Sequence, residues 1–65
     1  MKGDEIMERY EMITTYTDAA YKIEVVDNFI SILNAAAVYM EDPDCHEITV
    51  LDFKTSTTPL HWVRD

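Results

Sequence analysis

From Ile23 to Phe53 this chain has no lysine and no arginine. The same stretch carries seven acidic residues, Glu24, Asp27, Glu41, Asp42, Asp44, Glu47 and Asp52, and so holds nearly all of the formal net charge of −8. A folded domain normally intersperses both signs, because a one-signed field repels itself and opposes compaction. With only five basic residues, the chain has few cations for phosphate contacts, which argues against nucleic acid as a direct ligand.

Other scarcities narrow the class. A single cysteine excludes an internal disulfide and points to a reducing, cytoplasmic compartment. One glycine, two prolines and 48% hydrophobic residues place the chain outside the disordered class despite its charge. No apolar run approaches the roughly 20 residues of a membrane span, and the start Met1-Lys2-Gly3-Asp4-Glu5 has no apolar signal core. The 65 residues read as one domain with a small core, since a chain of this size buries only about 60% of its unfolded surface. Residues 1–7 are expected to be a flexible N-terminus.

What is present is strand-rich. From Glu8 to Thr17, Tyr10, Met12, Thr14 and Tyr16 alternate against Arg9, Glu11, Ile13 and Thr15, the period of a strand. Residues Thr17 to Met40 admit one long amphipathic helix, which would give βαββ. Tyr21 to Val26, however, alternates apolar against charged and is rich in β-branched residues, which favours a second strand. Asp18-Ala19-Ala20 then forms the hairpin turn, although no Gly or Asn supplies the positive φ of the tightest turns. Asp27 is the expected N-cap of a helix from about Asn28 to Glu41, ended by Asp42-Pro43-Asp44. Glu47 to Phe53 reads as a strand, Lys54 to Pro59 as a loop of turn formers, and Leu60 to Arg64 as a last strand. The expected fold is α+β, a small antiparallel sheet with one helix packed on it in the order ββαββ.

Apolar surface exceeds what one small core uses. Ile32, Ala36, Phe29, Met40, Leu33, Ala37 and Ile30 spread over nearly half of the helix, with Tyr39 at one edge, whereas packing on one sheet needs a stripe of about 100°. In the strands, Ile48 and Val50 oppose Leu51 and Phe53, and Leu60 and Trp62 oppose Val63. Both sheet faces then carry hydrophobes while a helix covers one. Scattered apolar atoms are ordinary on small domains. The alternative is a homo-oligomer or a partner-binding face, for which Ile32, Tyr39, Leu51, Phe53 and Trp62 are the candidates.

The segment Glu41-Asp42-Pro43-Asp44-Cys45-His46-Glu47 offers carboxylates, a thiol and an imidazole. Counted from Asp42, an EF-hand loop would need Gly at Glu47 and Glu at Phe53, so that template fails. Zinc would find only Cys45 and His46 of the preferred kind, adjacent rather than spaced. No metal or cofactor is expected. Surrounding carboxylates would also raise the Cys45 thiol and oppose nucleophilic attack, and no glycine loop or nucleophile motif is present. Enzymatic activity is not expected. His61 beside Trp62 reads as a structural histidine that retains the possibility of titrating. Trp62 itself suits either a core anchor or a contact residue.

In size, charge and element order, from Tyr21 to Asp27 through the helix and Pro43 to the segment Glu47 to Asp52, the chain resembles very small acidic bacteriophage proteins. These inhibit host enzymes or defence systems and include anti-CRISPR and anti-restriction proteins. The resemblance carries no residue-level motif. It implies an inhibitor whose acidic surface occupies a site meant for nucleic acid, binds a protein interface or sequesters a nucleotide. The expected function is accordingly non-enzymatic, with Glu41, Asp42, Asp44, Glu47 and Asp52 docking on a basic, nucleic-acid-binding surface. Two other readings remain open: a small-ligand binder with Tyr39, Phe53 and Trp62 lining a pocket between subunits, and a structural homo-oligomer such as a dimer.

Overall fold

In the computed structural model, which describes residues 8–65, the chain runs β1 (Tyr10–Tyr16), β2 (Tyr21–Val26), α1 (Phe29–Met40), β3 (Cys45–Asp52) and β4 (Thr57–Val63). The strands form one antiparallel sheet in the order β2-β1-β3-β4. The fold is α+β, ββαββ as expected, and strands of 7, 6, 8 and 7 residues outweigh a helix of 12. The long-helix alternative is overturned at Val25, which is extended and paired with Glu11. The expected flexible segment 1–7 lies outside the described residues.

Period-two patterning decides which face is buried. Registers Met12↔Val50 and Thr14↔Ile48, with Ile48↔Trp62 and Val50↔Leu60, put these residues on the helix side of the sheet. There they meet Ile32 and Ala36 of α1, and Met12, Ile32, Ile48 and Val50 are all but sealed from solvent. Each such side chain contributes about 1.5–3 kcal/mol, so four of them supply much of what a domain this small can muster. The other parity, Ile13, Thr15, Thr49, Leu51, Ile23 and Val63, lies on the face that no element covers among the described residues.

Several boundaries differ from the sequence reading. Asn28, not Asp27, is the N-cap: its Oδ1 accepts from the N–H groups of Ile30 at 2.7 Å and Ser31 at 3.3 Å. Asp and Asn cap about equally well, so the backbone path leaving β2 makes the choice. β3 starts two residues before Glu47, at Cys45, because Tyr16 across one edge and Arg64 across the other extend the pairing; it stops at Asp52, one short of Phe53. The expected loop Lys54 to Pro59 loses its last three residues to β4, where Thr57 pairs with Asp52 beyond a register shift. In the hairpin turn Ala19 itself takes the left-handed conformation, φ 72°. Asp18 Oδ1 holds the turn by accepting from Ala20 N at 3.0 Å.

Arg64 closes the helix from the far end of the chain. Its Nη2 donates to the carbonyls of Met40 at 2.6 Å and Asp42 at 2.9 Å, and its Nε to that of Cys45 at 2.8 Å. Met40 O is a carbonyl that the helix end leaves for outside donors, Asp42 O also accepts from Cys45 N at 3.0 Å, and a cation at this end suits the helix dipole.

Candidate interaction surfaces

Because β1 and β3 are antiparallel neighbours, the turn that follows β1 abuts the loop that precedes β3. Thr17 N donates to Asp44 O at 2.9 Å and joins them. Tyr16, Thr17, Asp18, Ala20, Asp42 and Asp44 line a shallow cleft at this end of the sheet, with Glu41 beside it as the C-cap of α1. Two of the carboxylates also shape their own loops: Asp18 holds Ala20 N, and Asp42 Oδ1 accepts from Asp44 N at 3.0 Å. Among the described residues, no Lys or Arg side chain lies within ion-pair distance of Asp18, Glu41, Asp42 or Asp44. Arg64, which reaches this end of the sheet, directs its donors to the main-chain carbonyls of Met40, Asp42 and Cys45 instead.

The five acids singled out from the sequence therefore separate. Glu41, Asp42 and Asp44 share the acidic end. Glu47 sits on the uncovered sheet face, its Oε2 2.6 Å from His61 Nε2. Asp52 is at the opposite end of β3, seven residues and roughly 23 Å from Cys45 at strand rise. It is only 6% exposed and is held by Arg9 through Nε–Oδ1 and Nη2–Oδ2 contacts of 2.9 Å each, so it belongs to the interior. Asp18 joins the cluster in its place. Its signal is topological: only the β1–β3 pairing brings residue 18 beside residues 42 and 44.

The apolar candidates separate too. Ile32 is 1% exposed and is core. Trp62 is half-buried against that core, with the Arg64 guanidinium 4.8 Å over its ring. Tyr39 leans to the other edge, where its hydroxyl accepts from Lys22 Nζ at 2.7 Å and donates to Glu24 Oε2. That arrangement raises the Lys22 pKa, through the Tyr39 hydrogen bond first and then Glu24. With Tyr39 near β2 and Trp62 on β4, the two stand at opposite edges of the sheet, and Phe53 lines a separate shallow cleft with Leu51, Ser56, Thr57 and Thr58. Within one chain they do not share a pocket. Leu51 and Phe53 do face solvent on the uncovered side, along with Tyr21, Ile23, Val25 and Val63.

Cys45 is fully buried, and burial pushes its thiol up from the ordinary value, which leaves it protonated and unreactive near neutrality. Among the described residues, no group of three or more His, Cys, Asp or Glu side chains is placed to hold a metal ion. No helix among them is long and apolar enough to cross a membrane. Compared with protein-family models, curated proteins and solved structures, the chain matches none significantly.

Proposed function

We propose that this is a non-catalytic interaction protein that docks on a basic surface of another protein through its acidic end. The observation that carries the reading is the gathering of Asp18, Asp42 and Asp44, with Glu41 adjoining as the helix C-cap, at one end of the sheet, where no Lys or Arg side chain among the described residues pairs with them. Asp18 and Asp42 are held by their own loop hydrogen bonds, so their charges are presented from fixed positions. Carboxylates so placed can stand where phosphates stand for Lys and Arg. The favoured target is thus a nucleic-acid-binding protein, and the resemblance in size and charge to small phage inhibitors agrees with it.

A pull-down from a lysate of the source cell tests this, with Asp18→Asn, Asp42→Asn and Asp44→Asn combined as the comparison. Asn keeps the oxygen that each loop hydrogen bond needs. Wild type should capture a basic protein at low salt and release it both to added salt, since exposed charges are screened over about 10 Å at 0.1 M, and to competing duplex DNA or RNA. The triple variant should capture little. A partner held equally by the variant and indifferent to salt and nucleic acid would move the function to the uncovered sheet face.

A further inference from the structure

The two edges of the sheet are unequal. In β4 the outward-facing positions include Pro59, which has no N–H to offer, and a register shift interrupts the pairing beside it; both devices blunt an edge. β2 has neither. The bond from Tyr16 N to Ala20 O, 2.8 Å, and the register Thr14↔Lys22, Met12↔Glu24, Tyr10↔Val26 fix which residues face β1. The N–H and C=O groups of Tyr21, Ile23 and Val25 therefore point away from the sheet. No described strand pairs with them, and their side chains are 68%, 50% and 38% exposed.

The order Tyr21-Lys22-Ile23-Glu24-Val25 is self-complementary about Ile23. We propose that β2 pairs antiparallel with β2 of a second copy of this chain, with the two-fold axis at Ile23, doubling the four-stranded sheet. Tyr21 then lies opposite the second copy's Val25, and Ile23 opposite its own equivalent, on the uncovered face. Lys22 lies opposite the second copy's Glu24 on the helix side, twice per dimer. About six main-chain hydrogen bonds close the seam, and an aromatic beside a β-branched residue is a favourable cross-strand pair.

Charge selects this register over its neighbours. Sliding by the two residues that keep the same amides facing each other centres the seam on Lys22 or on Glu24, setting like charge against like. A parallel seam would bring the two acidic ends together, whereas the antiparallel one sends them to opposite ends of the dimer. Both Lys22 and Glu24 are partly exposed and already braced by the Tyr39 hydroxyl. A closed two-fold leaves neither copy with a free β2 edge, whereas an open array always ends on one.

Sedimentation velocity over a concentration series up to about 1 mM, a range that reaches weak edge-to-edge contacts, tests the seam. Wild type should form a species of twice the chain mass. Lys22→Glu alone and Glu24→Lys alone each set like charges opposite in both pairs and should weaken self-association by about tenfold or more. An equimolar mixture of the two variants restores both pairs of opposite charge and should recover the dimer, as should the double exchange in one chain. Ile23→Lys opposes itself at the axis and should be monomeric. Wild-type amide exchange gives a reading free of substitutions: Tyr21, Ile23 and Val25 should gain protection as concentration rises, while Lys22 and Glu24 stay protected throughout. A wild type that remains monomeric, a dimer indifferent to these charges, or edge amides indifferent to concentration would overturn the proposal.

Discussion

Arg9 and Asp52, 43 positions apart, meet as a two-point ion pair that ties the start of β1 to the end of β3. The Arg9 hydrogen bonds hold the Asp52 carboxyl well below the usual carboxylate range, aided by the Lys54 N–H and against the opposing effect of burial. The unfolded chain lacks this partner and takes up its proton first. The contribution of Asp52 is therefore complete above the ordinary value of about 3.9 and declines as pH falls below it. Urea midpoints measured from pH 7 down to pH 2 should fall for wild type below about pH 4. Asp52→Asn should be less stable at pH 7 and should lose less on acidification; an acid slope as steep as wild type would mean other carboxylates govern it.

Thr14 is sealed on the helix side of the sheet, and its Oγ1 has no hydrogen-bond partner among the described residues. An unpaired buried hydroxyl carries a desolvation penalty of about 1–3 kcal/mol, while its methyl packs usefully. Thr14→Val keeps the shape and removes the hydroxyl, and should stabilise by about 1 kcal/mol. Thr14→Ser keeps the hydroxyl and deletes the methyl, and should cost about 0.8 kcal/mol. Chemical denaturation of the pair gives the sign directly, and a destabilised Val variant would reveal a partner for the hydroxyl.

Ala19, at φ 72° in the β1–β2 turn, pays the steric penalty of a Cβ in the left-handed region, about 1–2 kcal/mol. Glycine there relieves it but loosens the unfolded chain by about 0.4–1 kcal/mol. The net effect of Ala19→Gly should be a gain of about 0.5–1 kcal/mol, or a few degrees in Tm for a domain of this size. Ala20, which does not have a positive φ, receives no relief, so Ala20→Gly should lower Tm. Equal responses at the two positions would place the strain elsewhere.

Element order was legible because the patterns are local. The alternation of Ile48 and Val50 against Thr49 and Leu51 states a strand, and Ile23, Val25 and Val26 resist a helix through their branched Cβ atoms. What depends on distant pairing was not legible. Whether Asp52 faces a partner or an arginine follows from the β1–β3 register, which no window around residue 52 contains. Asp18 joins Asp42 and Asp44 only because the sheet order is β2-β1-β3-β4. Nor could periodicity tell that Ile32 rather than Ile30 meets the core: both fall within the broad apolar arc, and the face that α1 turns to the sheet leaves Ile32 buried and Ile30 exposed.

The same dependence on distant geometry makes Arg64 a test of how the chain end stabilises the helix. Three carbonyls from the end of α1 and the start of β3 converge on one guanidinium, whose plane also covers Trp62. A lysine can keep the charge, yet its single ammonium does not span the fork geometry that reaches three separated acceptors. Arg64→Lys should therefore recover only part of what Arg64→Met loses. The expected loss for Met is about 1–2 kcal/mol, reduced from the full value of charged hydrogen bonds because the site is partly open to solvent. Amide exchange should localise the damage to the last turn of α1, Ala37 to Met40, and to the Arg64–His46 end of the β3–β4 ladder. If Arg64→Lys matched wild type in both Tm and exchange, simple charge at the helix C-terminus would be sufficient and the fork would be incidental.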